Sequence, residues 1–301
     1  MRADKFFADK FGSRTKAAQE LVAGRILRGG KALLPKDEVS ENDEFTFLMP
    51  CERFVSGGGY KLSRAIKAFS FNCFGKVFAD IGASTGGFTD CLLQNGAAKV
   101  FAIDVGESLL HPSLSGDPRV VRMENVNARY LTASDFPCEL NGVTADVSFI
   151  SLKHIFPVIS AILGDNADKR EAEKTPPTDK DAFVLIKPQF ECENKGIGKS
   201  GIVSLTRHKS IVEKVLLYAA ESSLLPVEII DAPLKKGKNL EYVLHLKKFP
   251  DAPVFSASSP VPSEFTRAAA RIAGDTEKII SAARDFYAQT ARRNPERKRN
   301  I

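Results

Sequence analysis

Four charged residues sit where an apolar chain does not ordinarily tolerate them. Lys61 follows the glycine triplet Gly57-Gly58-Gly59. Asp146 interrupts the apolar run Thr144-Ala145-Asp146-Val147-Ser148-Phe149-Ile150, Lys187 ends Phe183–Lys187 just before Pro188, and Glu241 opens a late apolar run. A carboxylate within an apolar strand is costly unless it is paired. Two lysines and two acids at one site can do a definite piece of chemistry. An amine that burial or a neighbouring cation keeps neutral takes the proton from a hydroxyl while the oxygen attacks an electrophile. Lys187 is placed for that part, with Asp146 and Glu241 orienting the lysines and Lys61 supplying the cation. Position alone equally admits two plain buried ion pairs.

A glycine loop precedes them. Asp80-Ile81-Gly82-Ala83-Ser84-Thr85-Gly86-Gly87-Phe88 follows an apolar run and opens a helix, so the backbone can turn sharply and approach a ligand closely. No Gly-Lys-Ser/Thr follows, which disfavours a triphosphate. Ser84 stands where a dinucleotide loop has its second glycine, which disfavours a pyrophosphate. Asp104 ends the next run, placed to accept hydrogen bonds from ribose hydroxyls. Asp80 adds negative charge beside the loop, suiting a cationic ligand. An adenosyl cofactor with an ammonium and a sulfonium, S-adenosylmethionine, satisfies all three features and offers a methyl group as electrophile; the loop alone also admits a plain tight turn in a Rossmann-like sheet.

The elements that must position these groups are legible as apolar runs of strand length. They are Val77–Asp80, Val100–Asp104, Val120–Met123, Val143–Ile150 and Phe183–Lys187, separated by helical or loop stretches. This alternation predicts an α/β fold with a parallel sheet covered by helices on both faces. Val227–Ile230 and Tyr242–Lys247 predict an antiparallel hairpin that completes a seven-stranded Rossmann-like sheet. Tyr60 to Phe69 reads as a helix after a linker over 51–59. Ahead of it, residues 1–50 read as a small α+β unit: a helix from Arg14 to Ala23 capped by Ser13, then a hairpin around Gly29-Gly30. Residues 164–181 carry ten charges in eighteen positions and read as a surface insertion. The predicted catalytic domain is 60–249. Beyond it, 250–301 comprises a Pro/Ser-rich linker, a helical segment with Phe265, Ala269, Ile272, Ile279, Ile280, Ala283 and Phe286 at helical spacing, and a basic end.

Composition excludes several classes. The chain has 301 residues, 43% hydrophobic and 27% charged, ordinary for a globular protein. No run of 18 apolar residues and no signal-like N-terminus is present, so no membrane association and a cytoplasmic location are expected. The five cysteines are scattered and the four histidines share no metal spacing, so neither a disulfide frame nor a metal site is expected. Net charge is +6, and residues 1–36 hold nine Lys/Arg against three acids, which suits a polyanion partner.

These motifs together resemble a known family. Arg2-Ala3-Asp4, Ser13-Arg14-Thr15-Lys16-Ala17, Gly24-Arg25-Ile26 and Gly30-Lys31 resemble the alpha-L RNA-binding module. The glycine loop, Ala102-Ile103-Asp104-Val105-Gly106, Asp146-Val147-Ser148-Phe149-Ile150-Ser151-Leu152 and Ile186-Lys187-Pro188-Gln189-Phe190-Glu191 resemble the FtsJ-type fold. The combination is similar to the TlyA family of rRNA 2'-O-methyltransferases that act on cytidines and are often labelled haemolysins. The resemblance implies that Lys61, Asp146, Lys187 and Glu241 are the catalytic set. It implies that Asp80, Gly82, Ala83, Ser84, Thr85, Gly86, Gly87, Phe88, Asp104 and a third-strand asparagine, Asn127 or Asn125, meet S-adenosylmethionine. It further implies that Arg2, Arg14, Lys16 and Arg25 grip ribosomal RNA or a ribosomal subunit. One departure is Ser56-Gly57-Gly58-Gly59, where the family usually has Arg-Gly-Gly before the first lysine. Two other functions compete: a non-catalytic ribosome-assembly factor, and a membrane-active haemolysin, for which the mixed charges of 263–292 are a poor basis.

Overall fold

The computed structural model describes residues 1–11, 13–22, 24–47, 54–164, 180–192, 197–198, 201–235, 237–248 and 263–292. Most of the charged insertion, the Pro/Ser linker and the basic end predicted above lie outside these residues. The chain divides into two compact units, Met1–Arg53 and Phe54–Ile301.

The first unit begins with α1 (Ala3–Phe6) and α2 (Arg14–Val22), followed by β1 (Ile26–Arg28), β2 (Lys31–Ala32) and β3 (Phe45–Phe47). The three strands form an antiparallel sheet in the order β2-β1-β3. The predicted helix and hairpin are present. The third strand goes beyond the sequence reading, because two phenylalanines behind an acidic cluster give too short a pattern to register as a strand. Its rings build the core nonetheless: Phe45 lies edge-on to Phe7 at 4.9 Å and Phe47 to Phe7 at 5.6 Å. Ala3, Ala17, Leu21 and Ile26 complete that core.

In the second unit the elements run α3 (Gly57–Ala68), β4 (Val77–Ile81), α4 (Gly87–Gln94), β5 (Lys99–Ile103), α5 (Pro112–Ser115), β6 (Val120–Met123), β7 (Gly142–Ala145), α6 (Phe156–Ile162), β8 (Asp181–Ile186), α7 (Pro188–Glu191), α8 (His208–Glu221), β9 (Leu224–Asp231), β10 (Tyr242–Lys248) and α9 (Ser263–Arg292). A seven-stranded sheet has the order β6-β5-β4-β7-β8-β10-β9, with β10 alone running opposite to the other six strands. Strand alternation assigns the two faces. Ala79, Ile81, Phe101, Ile103, Val143, Val184 and Leu244 join the core beneath α6, α8 and α9. Phe78, Val100, Ala102, Phe183, Leu185 and Val243 join the core beneath α3 and α4. Among the described residues no helix is long and apolar enough to cross a membrane.

Three boundaries differ from the sequence reading. β7 ends at Ala145, so Asp146 stands just past the strand rather than inside it. The backbone then leaves the sheet, and Phe149 adopts a positive φ of 63°. α3 starts within the glycine triplet read as linker. A Cβ on Gly59 would lie 2.9 Å from the carbonyl of Gly87, and one on Gly87 would lie 2.9 Å from the Gly59 nitrogen. The two helix starts therefore cross at a separation only glycine permits. The insertion also ends earlier than read: Lys180 and Asp181 are buried, with Asp181 starting β8 and paired to His245 Nε2 at 2.8 Å.

α9 runs unbroken through Gly274, which costs about 1 kcal/mol relative to alanine. Burial of Ile272 and Ile280 in the sheet core outweighs it, at roughly 1.5–3 kcal/mol for each large apolar side chain.

Candidate active site

The strands end at one edge of the sheet, and the four charges gather there. Lys187 is the first residue past β8, where Pro188 prevents further pairing and starts α7. Its Nζ lies 2.6 Å from Asp146 Oδ1 and donates to Ser148 Oγ at 2.7 Å. Lys61, one turn into α3, reaches Glu241 Oε2 at 2.7 Å and Asp146 Oδ2 at 3.8 Å. Glu241 is the residue before β10. Asp146 thus receives one lysine on each carboxylate oxygen, and residues 180 positions apart in the chain form one connected charge set. All four side chains are between 11% and 20% exposed, reachable by a substrate but shielded enough to strengthen their coupling.

Two adjoining cavities open beside this set. The larger, about 330 Å³, is lined by Gly82, Ser84, Asp104, Leu109, Val126, Asn127, Asp146 and the backbone turn through Phe149. The smaller, about 170 Å³, is lined by Ser56, Gly58, Gly82, Ala83, Ser84, Thr85, Gly87, Phe88, Asp146, Ser148 and Lys187. They share Gly82, Ser84, Asp146 and Ser148, so one elongated ligand fits both.

The glycine loop is shaped by three left-handed residues: Gly82 at φ 78°, Ser84 at 50° and Gly86 at 93°. Ser84 therefore keeps a glycine-like backbone without being glycine, at about 1–2 kcal/mol of strain. A hydrogen bond from its backbone nitrogen to Asp104 Oδ2 at 2.8 Å holds it there. Gly82 admits no side chain: a Cβ would lie 2.9 Å from the backbone oxygen of Asp146. Gly86 lines neither cavity; its Cβ position is filled by Leu114 and Leu110, so it makes the turn into α4.

Asp104 accepts one backbone N–H on each oxygen, from Ser84 and from Gly106 at 2.9 Å. Each oxygen keeps a further lone pair for a ligand hydroxyl. Asn127 lines the larger cavity and Asn125 does not, which separates the two asparagines that the sequence leaves open. Asn127 Oδ1 also caps a short helical turn by accepting from the Arg129 nitrogen at 3.2 Å.

Asp80 occupies a different place from the one expected. It is fully buried, and both oxygens are taken, by Thr89 Oγ1 at 2.6 Å and Thr144 Oγ1 at 2.8 Å. It lines neither cavity, and ties β4 to β7 and α4 beneath the loop. Burial raises its pKa from 3.8 to about 6 despite those hydrogen bonds. The folded protein thus keeps this proton up to about pH 6, whereas the unfolded chain sheds it near 3.8. Stability from this group is present below pH 4 and is lost as pH rises to about 6, a loss of about 3 kcal/mol at 1.36 kcal/mol per unit. Asp80→Asn removes that dependence. Urea midpoints at pH 4 and pH 7.5 should show the variant gaining stability over the parent as pH rises, and an equal difference at both pH values would refute the account.

Sequence reasoning misses the groups that hold the Asp146–Leu152 loop. Glu191 is buried, accepting from Leu152 N at 2.9 Å and Ser151 Oγ at 2.7 Å, and burial raises its pKa. Ser148, the partner of Lys187, escapes it equally. Both lie inside motifs quoted above, but a serine or glutamate there carries no periodic signal of its partner. Phe149 is 91% exposed at the cavity wall.

In the first unit, Arg2 and Arg14 both contact Asp4, at 3.0 Å each, with half or more of each side chain exposed. The two guanidiniums hold the Asp4 carboxyl below its usual range. Arg25 donates to Glu20 Oε1 at 2.6 Å, and the Lys16 side chain lies outside the described residues. Among the described residues no cluster of three or more His, Cys, Asp or Glu could hold a metal ion.

Comparison with known proteins accords with this geometry. The family model for FtsJ-like methyltransferases matches residues 54–249. The chain is 38% identical over 240 residues to a Mycobacterium tuberculosis protein named 16S/23S rRNA (cytidine-2'-O)-methyltransferase TlyA, covering 78% of this chain and 84% of that one. It is 35% identical over 237 residues to Hemolysin A of Brachyspira hyodysenteriae, covering 77% and 93%. A solved structure of a candidate hemolysin from Streptococcus thermophilus superimposes with a TM-score of 0.64 at 31% identity, covering 95% of this chain and 98% of that one.

Proposed function

The chain belongs to the FtsJ-like methyltransferase family, and we propose that it uses S-adenosylmethionine to methylate the ribose 2'-hydroxyl of cytidine in ribosomal RNA. The observation that carries this reading is the convergence of Lys61, Lys187 and Glu241 around Asp146, which lines the same cavity as Asp104.

The residues present fit the cofactor. Asp104 offers two anionic oxygens to a ribose diol, and Val126, Leu109 and Asn127 bound the space beyond for an adenine. Gly82, Ala83, Ser84, Thr85, Gly87, Phe88 and Ser56 frame a smaller, more polar recess for the amino-acid end. When bound, S-adenosylmethionine supplies an electrophilic methyl group on a cationic sulfur. Asp80, expected to touch the cofactor, instead supports the loop that does.

The chain's own residues manage the proton. Lys187 accepts the 2'-hydroxyl proton as the oxygen gains its methyl group, then passes it to water. Asp146 and Ser148 hold Lys187 Nζ in place. Lys61, held by Glu241, sets a positive charge beside the oxygen on which negative charge develops. An assembly factor without catalysis would have no use for so costly a charge cluster.

The first unit serves as the RNA grip. Exposed Arg2 and Arg14 hold phosphates, which supply affinity and register, while nucleotide choice comes from RNA shape and a splayed base. The relative named for 16S and 23S rRNA cytidines supports the substrate class, and such a substrate goes with a cytoplasmic location. Mapping 2'-O-methyl groups in ribosomal RNA from cells with and without the gene tests the proposal. At least one cytidine should lose its methyl group when the gene is removed. An unchanged map, with purified protein inactive on ribosomal subunits, would overturn it.

A further inference from the structure

A third cavity lies against the same charge set and shares no lining residue with the two assigned to the cofactor. Its volume is about 350 Å³, at the small end of the roughly 300–1,000 Å³ typical of ligand sites. Lys61 and Glu241 form its boundary with the catalytic set. Tyr60 and the segment Ala232-Pro233-Leu234 supply apolar surface, and Lys235 and Lys238 complete the wall. Tyr60 is 40% exposed, its ring edge-on to Phe54 at 5.2 Å.

The charge balance of this cavity is not neutral. Glu241 is matched by Lys61 at 2.7 Å. Among the described residues neither Lys235 nor Lys238 has an acidic partner, so two cations face the space unmatched. Lys235 Nζ lies over the start of α3, 3.4 Å from where a Cβ on Gly57 would stand.

The wall is also fixed in place. Asn239 Oδ1 accepts from the Val203 nitrogen at 2.8 Å, and its Nδ2 donates to the Gly201 carbonyl at 3.0 Å. Tyr287 of α9 donates its hydroxyl to the Lys238 carbonyl at 3.2 Å. Leu240 is buried. A helix outside the matched family region thus braces the loop that carries the lysines. A mobile surface loop would have no need of three such restraints.

We propose that this cavity holds the nucleotide adjoining the methylated ribose, with its phosphate on Lys235 and Lys238 and its base against Tyr60. This deepens the proposed function and rests on it. Aromatic surface beside unmatched cations is the combination that holds single-stranded nucleic acid, since every base has a face to stack and every linkage a charge. Lys61 and Glu241 line this cavity and also belong to the charge set around Asp146, which sets it beside the reacting ribose, as a neighbouring nucleotide requires.

The test is binding of a short fluorescein-labelled oligocytidine, followed by anisotropy across a salt series, to the full chain and its variants. Lys235→Ala/Lys238→Ala should weaken binding about tenfold near 0.1 M salt. It should also reduce the slope of log affinity against log salt by about 0.7 for each phosphate that is no longer neutralised. Tyr60→Leu should weaken binding about fivefold or more with the slope unchanged, because it removes the face on which a base stacks, while Tyr60→Phe stays near the parent. Calorimetric affinity for S-adenosylmethionine should be the same in all, which shows that the variants are folded. Parental affinity and slope in both the double variant and Tyr60→Leu would overturn the proposal, as would failure of the parent to bind the oligonucleotide. The methylation map reports separately on the reaction itself, so loss of one reading does not masquerade as loss of the other.

Discussion

Lys187→Ala should remove methyl transfer while leaving the cofactor bound. A positioned base contributes about 10²–10⁴-fold, so transfer to ribosomal subunits should fall by at least two orders of magnitude. Lys187 lines only the smaller cavity, through a side chain that also touches Asp146 and Ser148. Affinity for S-adenosylmethionine, measured by calorimetry, should therefore stay within about threefold of the parent, since the mutation leaves Asp104 and the glycine loop intact. Lys187→Arg keeps the charge but should fail equally, because a guanidinium does not surrender its proton in a protein. That pair of variants separates a base from a mere counter-ion to Asp146. If Lys187 only balanced Asp146, arginine would restore much of the activity. Undiminished transfer by Lys187→Ala would remove this residue from the mechanism.

The second large effect belongs to Asp104. Hydrogen bonds to a charged acceptor are worth about 1.5–3 kcal/mol each, and Asp104 has a spare lone pair on each oxygen for a ribose hydroxyl. Asp104→Ala should weaken S-adenosylmethionine binding by about 100-fold or more. Part of that loss arises indirectly, because the variant also frees the Ser84 nitrogen and lets the strained loop residue relax. Asp104→Asn, which keeps one carbonyl oxygen, should fall between the two. At saturating cofactor the turnover of Asp104→Asn should recover to within a few-fold of the parent, since this residue is remote from the proton transfer. A cofactor affinity unchanged in Asp104→Ala would mean that the larger cavity is wrongly assigned.

The residues that these experiments address are not equally visible in the chain. Asp146, Lys187 and Glu241 stand out because each is a charge within or at one end of an apolar run, where an open α/β sheet faces its ligand, and Lys61 because it follows the glycine triplet. Their pairing is not visible. Nothing in the spacing says that Lys187 meets Asp146 while Lys61 spans Asp146 and Glu241. Strand order decides that: β7 and β8 are neighbours, and β10 inserts beside β8. Asp80 shows the opposite failure. Its position beside the glycine loop suggests a ligand contact, yet strand alternation turns it toward Thr89 and Thr144 on the α4 face.

What the amino-acid order determined by itself was local: strand-length apolar runs, the glycine loop with its excluded ligands, the helix propensities and the acid placed to meet a ribose. Each follows from the periodicity or backbone freedom of consecutive residues, which neighbours in the chain suffice to define. Only the tertiary structure decided which charges touch, that the glycine triplet is a helix crossing rather than a linker, and that a distant helix braces the loop at Lys238. These are contacts between residues up to 180 positions apart. They are set by which faces bury together, and a side chain's neighbours across that distance leave no periodic trace in the chain.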